Sequence, residues 1–464
     1  SSLDFDSLFE SGNMHRALRV TGREQIQIAE TVDCGPPSDC DQEYDMMCRK
    51  DLHTSGNIQW YYFSATTPPS NVTYPLVVRF NIVNMLKRSS LYNFGMRPAV
   101  YSAADAADGV GWRHSGTDVC YFKNRQTYTK RVGNSKNSAV KKRLVSYYTL
   151  SFTYTFTKPD TVYFAHCYPY TYTRLQSYIV SLETDNRIAK FLRRRLLCPT
   201  LAQNRCELLT VTEPCDNAEA FARRPVVVVS ARAHPGETNS SFMMEGFMTF
   251  LVSEDPAALH LRNSFVFKVV PMLNPDGVIH GNYRCSLAGC DLNRAYRSPD
   301  PYLHPTIYAV KDLILSSHMK RGVFLYLDLH GHSRNKNVFS YGCDPTLTDA
   351  YRLTERLAYQ EMLEADPTAK PPQKSSTPSH LMDRKVFSRL LPKFMSLSHL
   401  LWTREDSATS TVSPFSYRDC SYKVQLSKKG AGRVVCWNDI GIDGSYTIEI
   451  SFCGIGDNSE AKQI

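Results

Sequence analysis

Apolar residues in this 464-residue chain gather in short β-branched and aromatic runs separated by turn formers. Before residue 166 the runs are Trp60–Phe63, Leu76–Val83, Val119–Phe122, Tyr147–Phe156 and Val162–Ala165, broken by stretches such as Pro68-Pro69-Ser70-Asn71 and Lys158-Pro159-Asp160. Short strands at such intervals predict an antiparallel β-sandwich over residues 1–165. From His166 onward a helical pattern enters through Leu175, Tyr178, Ile179 and Leu182. Strands are expected around Glu207–Thr212, Val226–Ala231, Phe265–Leu273, Val323–Leu329, Gly432–Trp437 and Tyr446–Phe452, with helical segments between several of them. That alternation predicts an α/β domain over 166–464, a mixed, mostly parallel sheet flanked by helices. Residues 366–380, rich in Pro, Ser, Thr and Lys, read as a mobile surface insertion.

Val226 to Val229 are four consecutive β-branched residues, too few for a helix and apolar on both faces, as a central parallel strand requires. The strand breaks into His234-Pro235-Gly236-Glu237. Thr238 and Asn239 then can cap a helix whose expected apolar side is Phe242, Met243, Phe247, Phe250 and Leu251. Ligand sites lie at the carboxyl ends of strands in such βα units. A His and a Glu three residues apart are half of a His₂Glu zinc site. A second apolar run, Val323 to Leu327, leads into Asp328-Leu329-His330-Gly331-His332 and offers the distant third ligand. A single His ending a strand is ordinarily a surface group; two such ends, each with a Gly beside the His, favour a metal. His330 and His332 are both candidates, because alternate residues share one side of an extended chain.

Length and a hydrophobic content of 42% provide for two cores. No stretch approaches the ~20 apolar residues of a membrane span, and the start shows no signal-peptide pattern. The chain begins with Ser1 and reads as a fragment. Fourteen irregularly spaced cysteines without a Cys-x-x-Cys pair suit reduced thiols better than a disulfide scaffold. Asn239-Ser240-Ser241 is a glycosylation sequon, yet a glycan there would obstruct a site at Glu237, which favours a cytosolic setting. The formal net charge of +9 includes the runs Lys141-Lys142-Arg143, Arg193-Arg194-Arg195 and Lys428-Lys429. They favour an acidic partner, and no nucleic-acid-binding motif accompanies them.

A carboxylate within a β run, Glu449 in Ser445-Tyr446-Thr447-Ile448-Glu449-Ile450, needs a polar destination because an unpaired buried charge is costly. Near a metal it is the candidate base, taking a proton from the attacking water and giving one to the leaving amine.

Several motifs, in order, resemble the cytosolic carboxypeptidases, the branch of the zinc carboxypeptidases that includes the tubulin-tail deglutamylases. They are Phe9-Glu10-Ser11-Gly12-Asn13, His234 to Ser241, Asn274-Pro275-Asp276-Gly277-Val278, Arg284-Cys285-Ser286-Leu287, Asp291-Leu292-Asn293-Arg294, Asp328 to Arg334 and Ser445 to Glu449. The resemblance implies a β-sandwich ahead of a zinc carboxypeptidase domain, one zinc per chain on His234, Glu237 and His330, and Glu449 as catalytic glutamate. It favours His330 over His332. It assigns Arg284 to the scissile carbonyl and oxyanion, and Asn293 and Arg294 to the terminal carboxylate, which an Arg fork can hold through two parallel bonds. It matches Arg433 to the floor of the specificity pocket, where a guanidinium would pair with glutamate; Lys423, Lys428 and Lys429 are the fallback. A substrate-capping tyrosine falls near Tyr417 or Tyr422, and Asp328 is either a ligand support or structural. A closing helix expected of the family lies beyond the chain or is absent from it. The implied function is removal of C-terminal or side-chain-linked glutamates from acidic tails, tubulin or other polyglutamylated proteins, in the cytoplasm and in association with the cytoskeleton, without nucleic acid or membrane. The rivals are a carboxypeptidase of other terminal preference and a non-catalytic binder of acidic tails.

Overall fold

Four parallel strands form the centre of a seven-stranded sheet. In spatial order the strands are Leu192–Pro199, Arg205–Val211, Val266–Val270, Val226–Ala231, Val323–His332, Ser445–Ser451 and Val338–Tyr341. Val266–Val270, Val226–Ala231, Val323–His332 and Ser445–Ser451 pair in parallel, and the outer strands are antiparallel. The computed structural model describes residues 2–21, 39–132, 141–348, 379–398 and 414–454, with 360 and 362. The expected insertion at 366–380 lies outside the described residues up to 378.

Val226–Ala231 is buried at every position because both faces of the sheet are covered. Val227, Val229 and Ala231 join Met244, Met248 and Leu251 of the helix Thr238–Leu251, with Leu175 and Ile179 of the helix Tyr172–Thr184. Val226 and Val228 face Ile307, Val310 and Ile314 of the helix Pro305–Arg321. Strand alternation thus splits one run of valines between two cores. Register then fixes the site: Ser230 lies opposite Asp328 and His330 opposite Glu449, so three strand ends converge where the chain leaves Ala231.

Residues 4–165 form two five-stranded sheets. Phe63, Phe80, Phe152 and Phe164 pack between them, with ring centroids 4.9 Å apart for Phe80 and Phe164 and 5.4 Å for Phe80 and Phe152. All pairs are antiparallel except Gln42–Met47 with Leu76–Met85. Among the described residues no helix is long and apolar enough to cross a membrane. Twelve described cysteines carry free thiols and Cys120 is disulfide-bonded, so reduced thiols predominate among the described residues, with one exception.

Two further expectations need correction, and one strand is unforeseen. Gly432–Trp437 is helical, an α-turn over Gly432–Val435 running into a π-turn over Cys436–Ile440. Val434 and Val435 carry strand propensity, but the turn sends them into two different clusters, and tertiary packing prevails. Val338–Tyr341, an edge strand, is too short to stand out in the sequence. On the helix Thr238–Leu251, Leu251 is buried and Phe242, Met243 and Phe247 pack half-buried against the same core as expected, but Phe250 is 40% exposed and the buried stripe includes Met244 and Met248.

The sandwich grips the α/β domain through backbone. Ser11 N–H donates to Ile279 O at 2.9 Å and Asn13 Nδ2 to Gly281 O at 2.8 Å. Gly281 sits at φ 78, and a Cβ there would lie 2.4 Å from Gly12 O. The Asp51 carboxylate accepts the N–H groups of Tyr283, Arg284 and Cys285 at 2.6, 2.7 and 2.7 Å. Burial raises the Asp51 pKa, against the pull of those three donors.

Asp51→Ala leaves these N–H groups without their acceptor and lowers unfolding stability by about 2–4 kcal/mol. Asp51→Asn, which keeps one oxygen, loses less. Urea unfolding checks both, and an Ala variant as stable as the parent would mean that the Tyr283–Cys285 loop does not depend on this carboxylate.

Candidate metal centre and substrate cavity

The loop after Ala231 owes its shape to a buried arginine. Arg232 holds φ 58 and donates to Pro235 O at 2.8 Å, Tyr170 O at 3.1 Å and Ser241 Oγ at 2.8 Å. Gly236 lets the loop close on Tyr283: its N–H donates to Tyr283 O at 2.8 Å, and a Cβ would lie 2.6 Å from Tyr283 Cδ2. His234 and Glu237 are thereby turned towards the end of the Val323–His332 strand.

There Glu237 lies between two imidazoles. Its Oε1 is 2.8 Å from His234 Nδ1, and its Oε2 is 2.8 Å from His330 Nδ1 and accepts Gly331 N–H at 2.9 Å. The two Nδ1 atoms are 3.2 Å apart, and one ligand atom from each of the three residues lies within 4.8 Å of the others. The far ring nitrogens face carboxylates. His234 Nε2 is 3.1 Å from Asp291 Oδ1, and His330 Nε2 is 2.7 Å from Asp328 Oδ2. Protons donated to those aspartates leave both Nδ1 lone pairs facing Glu237, the tautomer a metal ligand needs. Two lone pairs and a carboxylate converging in a buried site repel unless a cation lies among them, so the donor set fits zinc.

The charge balance follows from this packing. Burial alone would raise the Glu237 pKa, but His234 and His330 hold it well below the carboxylate range. In the metal-free protein burial would lower the His330 pKa, but Asp328 and Glu237 raise it well above the imidazole range, and a metal on Nδ1 would displace that proton. Asp291 is likewise held low against burial by His234 and Arg284.

A cavity of 670 Å³ opens onto the three ligands. Arg284, Arg294, Arg433 and Glu449 also line it. Glu449 follows from strand alternation: Tyr446 and Ile448 enter the core, while Thr447 and Glu449 face the cavity. Burial, with Glu237 adding to it and His330 opposing, raises the Glu449 carboxyl to about 7. Arg284 pairs with Asp291, Nε at 2.8 Å and Nη2 at 2.7 Å from Oδ2, so one aspartate positions both a ligand and this arginine. Asn293 is held by Gly432 N–H on Oδ1 at 2.9 Å, with Nδ2 3.1 Å from His330 Nε2. Arg433 is buried and donates from Nη1 to Gly342 O at 2.9 Å and to Cys343 Sγ at 3.2 Å.

His332 stands outside the ligand cluster; its Nδ1 accepts Asn335 N–H at 3.0 Å. Lys423 and Lys428 line the cavity and Lys429 does not. Tyr417 and Tyr422 are not in the lining; Tyr422 is buried beneath Arg389, 4.5 Å from its ring centroid. The tyrosines that do line it, Tyr283 and Tyr341, carry no signal in the sequence, although Tyr283 adjoins Arg284. Lys87, Arg88 and Arg334 line it as well, equally unmarked. Lys87 comes from the sandwich and bonds to the Tyr283 hydroxyl and to Ser333 Oγ at 2.6 Å. Among the described residues the acidic lining is Glu237 and Glu449 alone, so the cavity is strongly cationic. Burial lowers the Lys428 pKa, with Arg294 and Arg284 adding to the effect.

A sequence profile described as "Zinc carboxypeptidase" matches residues 198–464. Cytosolic carboxypeptidase 2 of Xenopus tropicalis is 38% identical over 456 residues, covering 98% of this chain and 39% of that protein. Cytosolic carboxypeptidase 1 of Homo sapiens is 39% identical over 461 residues, covering 97% of this chain and 32% of its own. The chain therefore spans about two fifths or less of these relatives. Among solved structures, a metallo-carboxypeptidase from Burkholderia cenocepacia superposes with TM-score 0.64 at 19% identity, over 99% of this chain and 92% of that one. A metallo-carboxypeptidase from Pseudomonas aeruginosa gives TM-score 0.58 at 20% identity, over 97% and 90%. At that identity the likeness is one of fold.

Zinc content tests the ligand set. The His234→Ala, Glu237→Ala double variant is expected to lose the zinc that the parent binds in equal amount, with the sandwich still folded by circular dichroism. Asp328→Ala, which removes the support behind His330 and the acceptor of the Ser230 hydroxyl, should weaken zinc about 10–100-fold. One zinc per chain in the double variant would place the metal elsewhere.

Proposed function

The chain belongs to the zinc carboxypeptidase family, and from that premise we propose that it is a zinc-dependent carboxypeptidase acting on glutamate-rich tails, tubulin among them, in the cytoplasm. One observation carries this reading: Arg433 shares a single cationic cavity with His234, Glu237 and His330. His234, Glu237 and His330 would hold zinc, which would supply Lewis-acid chemistry for the scissile carbonyl and for a water near neutral pH.

The remaining steps fall to side chains of this chain. Glu449 takes the proton of the attacking water and hands it to the departing amine; a carboxyl raised towards neutral pH suits both transfers. Arg284, fixed by Asp291, donates to the oxygen that gains charge as the carbonyl is attacked. Arg294 holds the terminal carboxylate, and the Asn293 amide N–H groups donate to the same group. Arg433 meets the terminal side chain. A glutamate there completes an ion pair in a part-dry cavity, whereas a cationic residue meets like charge and an apolar one leaves the guanidinium without its partner. Lys423 and Lys428 add to the preference for anions.

Two measurements follow. Glu449→Gln keeps zinc and Glu-peptide binding but loses nearly all turnover, and Arg284→Ala lowers kcat by about 10²–10³; near-normal turnover in Glu449→Gln would assign proton transfer to another residue. Arg433→Ala lowers kcat/KM for a Glu-terminated peptide about ten- to a hundredfold more than for its Leu-terminated counterpart. Equal losses on the two peptides would remove Arg433 from specificity and return that role to Lys423 and Lys428.

A further inference from the structure

The sandwich sends Lys87, Arg88 and Ser89 into the lining of the cavity. They lie on the turn between the strand Leu76–Met85 and the 3₁₀ turn Leu91–Phe94. The backbone there is held firmly. Lys87 O accepts the Tyr121 hydroxyl at 2.5 Å. Tyr121 is itself buried and exchanges two bonds with the Asn93 side chain, Tyr121 N–H to Oδ1 and Nδ2 to Tyr121 O, both at 3.0 Å.

The half-buried Lys87 ammonium is fixed from the other domain. Nζ donates to the Tyr283 hydroxyl and to Ser333 Oγ at 2.6 Å, and it lies 4.7 Å from the Tyr283 ring centroid. Tyr283 O accepts Gly236 N–H of the ligand loop at 2.8 Å, and Tyr283 adjoins Arg284. Ser333 follows the ligand candidate His330 on the same chain segment. Three separate segments thus set one positive charge beside the metal centre.

That charge is answered only by neutral groups. An ammonium carries three N–H donors; two go to hydroxyls, and among the described residues no carboxylate bonds to Lys87. A part-buried charge without a counter-ion is poorly compensated. The hydroxyls that accept from it keep their own protons to donate. Tyr283 is 8% exposed and lines the cavity, and among the described residues nothing accepts its O–H. A free ammonium N–H and a buried phenol O–H around one positive charge are the complement of a carboxylate.

We propose that Lys87, together with the Tyr283 hydroxyl, determines specificity one residue upstream, by taking the side-chain carboxylate of the substrate residue that precedes the one removed. The inference rests on the carboxypeptidase reading above. A bond cleaved at the metal has one substrate residue on either side. Asn293, Arg294 and Arg433 are committed to the terminal residue, so the cation fixed at Tyr283 and Ser333 is left to its neighbour. Arg88 and Arg334, exposed yet lining the same cavity, extend the positive wall outward. A glutamate before the scissile bond completes the ion pair, whereas a glutamine of the same shape offers an acceptor without the charge.

The test compares peptides that end in Glu and differ only in the preceding residue, Glu or Gln. Affinities are measured by fluorescence anisotropy on the zinc-loaded Glu449→Gln protein, so that turnover does not intervene. The Glu-Glu peptide should bind about tenfold or more tighter than the Gln-Glu peptide. Adding Lys87→Met should bring the two affinities within about twofold, while Lys87→Arg keeps most of the preference. Equal affinities with Lys87 intact overturn the proposal without recourse to a variant at that position. So does a Lys87→Met protein that loses the same factor on both peptides, because Lys87 would then only brace Tyr283. Failure of the carboxypeptidase reading would appear separately, as no turnover of either peptide by the parent, with the affinities still deciding the role of Lys87.

Discussion

An ionised carboxylate held inside the protein dictates how much of this structure is arranged. Glu237 is 5% exposed, and an isolated charge so placed would either neutralise or destabilise the fold by several kcal/mol. The Gly331 N–H, and a cation that Glu237 would share with two imidazoles, answer it, and these groups come from separate chain segments. His330 and Gly331 end one central strand, while His234 sits on the loop that follows its neighbour. Parallel pairing of Val226–Ala231 with Val323–His332 is therefore a condition of the site as well as of the sheet. The valine run that stabilises the pairing and the polar loop that ends it act together.

The same logic extends outward in shells of carboxylates. Asp291 and Asp328 take the far nitrogens of the histidines, and Asp291 also fixes Arg284. Asp51, from the sandwich, fixes the backbone on which Arg284 sits. Each acid is answered by N–H groups or cations, so the network is satisfied rather than merely charged. The sandwich is thus more than a folding aid. It supplies Asp51 beneath the Tyr283–Cys285 loop and Lys87 to the cavity itself.

Legibility in the sequence tracks how local each constraint is. His234 and Glu237 lie three residues apart on a loop bounded by Pro and Gly, and His330 ends a run of obvious β character, so their residue types and spacing alone point to a shared site. Glu449 is legible too, because a carboxylate in an apolar strand must face something polar. Lys87 and Asp51 are not. Their partners lie around residue 283, roughly two hundred residues on, and nothing local in Lys87-Arg88-Ser89 marks it as cavity lining. Tyr283 and Tyr341 are hidden for the same reason, being aromatic residues among many. The turn at Gly432 reads as a strand because Val434 and Val435 report only their own propensity. The close approach of Gly432 to the Tyr326 hydroxyl, where a Cβ would lie 2.7 Å away, depends on tertiary packing. On the helix Thr238–Leu251, bulk misleads at Phe250, which is exposed, while Met244 and Met248, unmarked in the sequence, fill the core.

Zinc-edge anomalous diffraction from crystals soaked with free glutamate tests the central claim most directly. The account predicts one anomalous peak bounded by His234 Nδ1, Glu237 and His330 Nδ1, with the ligand's α-carboxylate on Arg294 and its side-chain carboxylate on Arg433. A peak away from those three residues, or a glutamate whose side chain turns from Arg433, would contradict it.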